Sequence, residues 1–270
     1  MEQKNGINIW LGGALIVFIA LSLIIGLFIS FGANLLLNGK VKAARPAKLE
    51  VTILKDQNCQ ECFDPTPFIE AIKKENIKIT QEKNIDIASN EGQELIKKYS
   101  IAKAPTVIIT GEIEKNEALK NIWPKLGEVK DGVFILRNAG TPYVLISSGE
   151  IKGKVKLIEI VDSKCKECFD VSQNEVILKN YGVYLEDVKA FDLSLAEGQK
   201  LVKDYNINLL PTIILTGDLG DYADLNAVWP QVGTIEKDGA YVLRQGVKQM
   251  GTYKDLTTGK IITPVATTKK

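Results

Sequence analysis

Leu157-Ile158-Glu159-Ile160-Val161-Asp162-Ser163-Lys164-Cys165-Lys166-Glu167-Cys168 is an apolar, β-branched run that feeds a short polar turn carrying a Cys-x-x-Cys pair. The same plan stands 106 positions earlier, in Val51-Thr52-Ile53-Leu54-Lys55-Asp56-Gln57-Asn58-Cys59-Gln60-Glu61-Cys62. These are the chain's 4 cysteines, too few for a disulfide scaffold in 270 residues, so their spacing carries the meaning.

Working outward, the register between the two stretches holds over a long span, which means duplication. Asp56, Glu61, Phe63 and Asp64 answer Asp162, Glu167, Phe169 and Asp170. Asp86, Glu91-Gly92-Gln93 and Tyr99 answer Asp192, Glu197-Gly198-Gln199 and Tyr205. Pro105-Thr106 pairs with Pro211-Thr212, Trp123-Pro124 with Trp229-Pro230, and Ser148–Ile151 with Thr258–Ile261. The chain therefore divides into an amino-terminal segment (1–47) and two domains of one fold (48–153 and 154–265), joined near Gly153. Each copy reads as strand, Cys-x-x-Cys, helix, a strand around Asp86 or Asp192, and a helix with period-3.6 apolar spacing. A strand after Pro-Thr, a short helix ending at Trp123 or Trp229, and a last strand after Asp-Gly complete it. That order predicts an α/β unit with a mixed sheet.

Asn5–Gly39 holds no charged residue, and its apolar part, 9–37, exceeds the roughly 20 residues a helix needs to cross a bilayer. The run is too long for a signal-peptide core and no small-x-small exit site follows it, so it reads as an uncleaved transmembrane helix. Ser22, Gly26 and Ser30 form a small-xxx-small row of the kind that lets two such helices approach, the basis for a weak dimer. Lys40, Lys42, Arg45 and Lys48 follow the span, and by the positive-inside rule would keep the bulk in the cytoplasm. Paired cysteines with an exchange role belong in an oxidising compartment instead, and the extracytoplasmic side is the reading taken.

Composition excludes several classes. With no histidine there is no Ser-His-Asp or Cys-His catalysis and no His-ligated zinc. A net charge of +1 gives no sign of a nucleic-acid partner.

At this point the order of elements and motifs resembles the thioredoxin fold. The runs EGQELIKKYSIAKAPT and EGQKLVKDYNINLLPT are similar to the thioredoxin sequence up to its cis-proline. Two such units behind a membrane anchor are similar to the two-unit disulfide oxidoreductases related to glutaredoxin and protein disulfide isomerase. The resemblance implies that Pro105 and Pro211 follow cis bonds and lie across from the dithiols. It implies that Ala104 and Leu210, just before them, offer backbone hydrogen bonds to an extended substrate segment. It also places a proton-relaying carboxylate at Glu159, where the first copy has Ile53. The family's tryptophan before the first cysteine is Asn58 in one copy and Lys164 in the other.

A Cys-x-x-Cys at a helix start suits disulfide exchange, because the helix amino terminus favours thiolate on the first, exposed cysteine. On that basis Cys59 and Cys165 are the attacking thiols, with Cys62 and Cys168 resolving the mixed disulfide. Lys164 and Lys166 flank Cys165, whereas only Glu61 stands close to Cys59, so Cys165 is expected to have the lower thiol pKa and the second copy to be the active site. Protein thiols and disulfides would be the substrates, a membrane or thiol partner would recycle the dithiol, and no cofactor is required. Arg137 and Arg244, ending the last strands, read either as groove residues or as exposed edge charges. Two other readings remain open here. One is a tethered, non-enzymatic binding module stapled by structural disulfides. The other is a metal site of all four cysteines, which would have to join two separate domains.

Overall fold

The computed structural model describes residues 45–264. The span expected over 9–37 and its small-residue row lie outside these residues; among the described residues no helix is long and apolar enough to cross a membrane.

In the first unit β1 (Ala47–Lys55) leads to α1 (Thr66–Lys73), β2 (Ile77–Asp86), α2 (Asn90–Tyr99), β3 (Lys103–Ala104) and β4 (Thr106–Gly111). Then come α3 (Glu117–Leu126), β5 (Gly127–Lys130), β6 (Val133–Leu136), β7 (Tyr143–Leu145) and β8 (Glu150–Lys152). The second unit repeats this with β9 (Lys154–Val161), α4 (Gln173–Asn180), β10 (Tyr184–Asp192), α5 (Ala196–Asp204), β11 (Leu209–Leu210) and β12 (Thr212–Gly217). It closes with α6 (Ala223–Val228), β13 (Gly233–Ile235), β14 (Tyr241–Leu243), α7 (Val247–Met250), β15 (Tyr253–Asp255) and β16 (Ile261–Ile262). Each main sheet has five strands, in the orders β2-β1-β4-β6-β5 and β10-β9-β12-β14-β13. β1 runs parallel to β2 and antiparallel to β4, and β9 is placed likewise between β10 and β12. This is a mixed α/β fold that resembles thioredoxin-like domains.

The central strands carry the apolar runs because both their faces are covered. Leu49, Val51, Ile53 and Leu54 are buried in β1, and Val155, Leu157 and Ile160 in β9. The tryptophans pack, as their place in the sequence suggests: Trp123 stacks 4.4 Å from Phe134 and its indole N–H donates to the Ile113 carbonyl. Trp229 lies 5.3 Å from Tyr241. The repeated Glu-Gly-Gln has a steric reason, since a Cβ on Gly92 or Gly198 would sit 2.1 or 2.2 Å from the carbonyl oxygen of Asp86 or Asp192.

Several elements differ from expectation. The strand expected around Asp86 begins at Ile77, and its partner at Tyr184; both are long edge strands whose polar residues hide the period. The first Trp-Pro helix continues through Pro124 to Leu126, while in the second Trp229–Gln231 finishes as a 3₁₀ turn. Each unit also carries strands too short to show a period: β5 or β13, and a small sheet of β3, β7 and β8 or of β11, β15 and β16.

Arg137 and Arg244 are not free edge charges, and neither lines the cleft that holds Cys59 and Cys62. Arg137 donates to the carbonyls of Tyr99 (2.6 Å) and Ser100 (3.1 Å), and Arg244 to those of Tyr205 (2.7 Å) and Asn206 (3.0 Å). Each thereby satisfies the open carboxyl end of α2 or α5 and pairs with Glu128 or Glu236. Arg137→Ala and Arg244→Ala are each expected to lower unfolding free energy by about 1–2 kcal/mol; denaturant titration of the two variants checks it.

Two candidate dithiol sites

Two repeated aspartates build each cysteine loop. The Asp56 carboxylate accepts from the Asn58 amide (2.8 Å) and the Asp162 carboxylate from Lys164 (3.0 Å). Asp86 accepts from Gln57 (3.1 Å), and Asp192 from Ser163 (2.7 Å). The Asp192 carboxyl is held far below the carboxylate range, first by the Ser194 hydroxyl and amide. Within these loops Cys59–Cys62 and Cys165–Cys168 are closed as disulfides, with Cα atoms 5.5 and 5.4 Å apart. The four sulfurs are thus paired within their own units.

The dithiols do not open a helix, which corrects the expectation drawn from their spacing. α1 begins at Thr66 and α4 at Gln173. In between, the repeated Phe-Asp makes a turn of its own: Asp64 accepts from the Thr66 amide (2.9 Å), and Asp170 from Ser172 (3.0 Å). The helix dipole falls off within a turn, so its hold on the first cysteine is weak here.

Pro105 and Pro211 do follow cis peptide bonds, and so does Pro142, which sequence reasoning passed over. The threonine after each repeated proline is buried, Thr106 donating to the Leu136 carbonyl (2.6 Å) and Thr212 to that of Leu243 (2.7 Å). Pro105 lines a cleft of about 740 Å³ together with Cys59, Cys62, Asp56, Asp64 and Asn84. In the second unit the Cys168 sulfur lies 3.8 Å from the Leu210 carbonyl oxygen.

The backbone of Ala104 and Leu210 is not free for a substrate. Ala104 pairs with Val144 of β7, and Leu210 with Lys254 of β15. The Ile146 amide donates to Ala102 and the Leu256 amide to Asn208. Hydrogen-bonded pairs alternate along an antiparallel ladder, so Ala104–Val144 and Leu210–Lys254 are the next bonded pairs, with both backbone groups of each residue engaged. The returning segment also grips the loop, for Phe63 donates its amide to Pro142 (2.7 Å) and Phe169 to Thr252 (2.8 Å). A strap of the protein's own chain occupies the edge expected to take a substrate strand.

The two sites differ in their neighbours. Glu159 is 6 % exposed on β9, and its Oε1 has no hydrogen-bond partner among the described residues. Burial, with Glu175 and Asp170 adding repulsion, pushes its carboxyl above the ordinary 4.5. Ile53 is buried at the matching place in β1. Lys254, missed in the sequence, reaches from the strap to the buried Asp162. Burial alone would raise the Asp162 carboxyl, but the Lys254 ammonium and the Lys164 amide outweigh it and hold it low. Counting back from the match of Ser148–Ile151 with Thr258–Ile261 puts Lys254 opposite Val144, so a signal was there to find. Cys165, expected to be the exposed thiol, is 8 % exposed, whereas Cys59 is half-buried. Since burial raises a thiol pKa, the ranking expected from Lys164 and Lys166 no longer follows.

No family model matches the chain, and no curated protein matches it. Among solved structures, the amino-terminal domain of alkylhydroperoxide reductase AhpF from Enterococcus faecalis is 16% identical, with 66% of this chain and 86% of that one covered at a TM-score of 0.22. Human ERp44 is 12% identical over 68% and 84%, TM-score 0.19. A protein disulfide oxidoreductase from Aeropyrum pernix K1 is 14% identical over 66% and 79%, TM-score 0.19. At scores this low the likeness carries nothing about this chain's activity.

Glu159 sets a pH dependence of stability whose sign follows from its raised pKa. Between 4.5 and the higher folded value the native state binds more protons than the unfolded one, so stability falls as pH rises. Glu159→Gln is expected to remove that fall while leaving the acid side unchanged. Parallel denaturation curves from pH 4 to 8 check it, and equal slopes for the two proteins would count against it.

Proposed function

We propose that the protein is a membrane-anchored thiol–disulfide oxidoreductase that exchanges disulfides with protein cysteines. The observation that carries this reading is the repeated pairing of a Cys-x-x-Cys disulfide with a cis-proline, once at an open cleft. Exchange needs an accessible sulfur, and the first site offers it. It also needs a place for the proton of the resolving thiol. The second site supplies a buried carboxylate, Glu159, of raised pKa on the strand that ends at the Cys165 loop, and is for that reason the better equipped for turnover. With the backbone of Ala104 and Leu210 engaged, a client would be held by the cleft walls rather than by strand addition to those residues.

In this reading the apolar run 9–37 anchors the chain, the two units at 48–153 and 154–265 face the extracytoplasmic side, and a membrane or thiol partner restores the working redox state. Labelling of single-cysteine variants with a membrane-impermeant reagent in intact cells is expected to modify Cys59. Labelling only after lysis would place the units on the inner side.

Cys62→Ser and Cys168→Ser, each leaving an attacking thiol without its resolving partner, are expected to accumulate mixed disulfides with client proteins. Non-reducing gels followed by mass spectrometry read this directly. Glu159→Gln is expected to slow release at the second site by up to about 10²-fold near neutral pH. Failure of both serine variants to trap any thiol, with no reduction of a model disulfide by the wild type, would favour a tethered binding module stapled by structural disulfides.

A further inference from the structure

The sequence gives Cys165 two neighbouring lysines and leaves Cys59 with a carboxylate, Glu61, inside its own Cys-x-x-Cys. The fold brings a cation to that carboxylate from the other unit. Lys154, the first residue of β9, forms an ion pair with Glu61, and its ammonium also lies 3.3 Å from Glu186. Glu167, which holds the equivalent place in the second loop, has no ion-pair partner among the described residues.

The junction that places Lys154 is a fixed turn. Gly153 has φ +85°, and a Cβ there would meet the Thr141 methyl at 2.6 Å. Its amide donates to Asp218 (2.9 Å), and its carbonyl accepts from the Tyr222 hydroxyl. The Thr141 hydroxyl donates to the Gly182 carbonyl (3.3 Å), and Tyr143 donates to Asp221 (2.8 Å), which also holds Lys103. Thr141 and Tyr143 flank the Pro142 carbonyl that grips Phe63 beside the first dithiol. The contact between the units is thus built onto the first cysteine loop.

We infer that Lys154 is a positioning residue for the first redox site: the second unit, through the Lys154–Glu61 pair, sets how readily Cys59–Cys62 is reduced. This rests on the exchange reading above. A carboxylate between the two cysteines opposes the thiolate that forms on reduction, and an ammonium clamped to it offsets that opposition. Glu61 holds the Lys154 ammonium above its ordinary pKa, so the cation persists through the range in which thiols ionise. Lys55, Asp56 and Asp64 line the same cleft and are common to wild type and every variant below. The second dithiol stands at the far end of β9, about 23 Å along the strand from Lys154, and serves as an internal reference.

The test is equilibration of the full chain in detergent with glutathione buffers at about pH 9, above the ordinary thiol range. Two glutathione thiols become glutathione disulfide as the Cys59–Cys62 bond breaks to two cysteine sulfurs, and their protons pass to those sulfurs or to solvent. Alkylation and mass spectrometry of each cysteine peptide give the equilibrium constant of each site. Lys154→Met is expected to disfavour reduction of Cys59–Cys62 by roughly three- to tenfold, and Glu61→Gln to favour it by a similar factor. The double variant should return to within about twofold of wild type, Lys154→Arg should match wild type, and Cys165–Cys168 should stay unmoved. A merely structural role would shift both single variants the same way. That result, or no shift while Cys59–Cys62 still titrates, overturns the inference. A wild-type Cys59–Cys62 that no buffer reduces overturns the exchange reading itself, and the inference with it.

Discussion

The pairing of the residue before each cis-proline with a returning strand is the constraint on which both sites rest. Ala104 with Val144 and Leu210 with Lys254 join the sheet to the strap, and the strap in turn holds Phe63 or Phe169 through a backbone bond. Three segments far apart in sequence, the cysteine loop, the proline and the strap, are thereby fixed around one disulfide. The loop is not carried by a helix start, so without this pairing only the aspartate turns and, in the first unit, the Lys154–Glu61 ion pair would hold it. An edge satisfied by the chain itself is also an edge that cannot recruit stray strands. In the exchange reading, recognition would fall to side chains and to the cleft, which in the first unit is broad and polar-rimmed.

On that common frame the two units diverge at matched places. Glu159 stands where Ile53 does, Ala190 where Asn84 does, and Asn174 where Phe68 does. In the first unit Phe68 packs 6.2 Å from Phe134. In the second, with Asn174 there, an apolar cavity of about 300 Å³ opens beside Leu178, Leu225 and Trp229. A buried carboxyl with an unpartnered oxygen costs on the order of 1–3 kcal/mol. Isoleucine in the same register shows that the fold does not need the carboxyl. A group that the fold tolerates at a cost, on the strand that leads into a dithiol loop, is where chemistry is to be looked for.

Much of this was legible in the residues. The duplication, the α/β order, the central strands and the proline positions follow from apolar period and from matched motifs, because those signals are local and long. What escaped reading was short or non-local. The strap strands run two or three residues, below any period, and nothing in Tyr143-Val144-Leu145 announces a partner at Ala104. The helices fall where the sequence pattern puts them, but the dithiols do not open them, because Phe63-Asp64 and Phe169-Asp170 make a turn in between; an aspartate two residues before Thr66 or Ser172 is a turn signal in its own right. Arg137 and Arg244 end strands in the sequence, whereas their work is at the carboxyl ends of α2 and α5, near them in space only.

Duplicated folds are often treated as two copies acting side by side. Here the interface is not neutral with respect to the sites, for it touches one dithiol loop and leaves the other at the opposite pole of its unit. Gly153, with no side chain and a left-handed backbone, lets the chain turn against Thr141 and deliver Lys154 to Glu61 within one residue of the junction. A longer linker would have let the units drift and the ion pair, its side chains 23 % and 35 % exposed, dissolve into solvent. The short junction therefore does two things at once. It fixes the units against each other, and it makes the charge beside the first dithiol a property of the pair rather than of either copy.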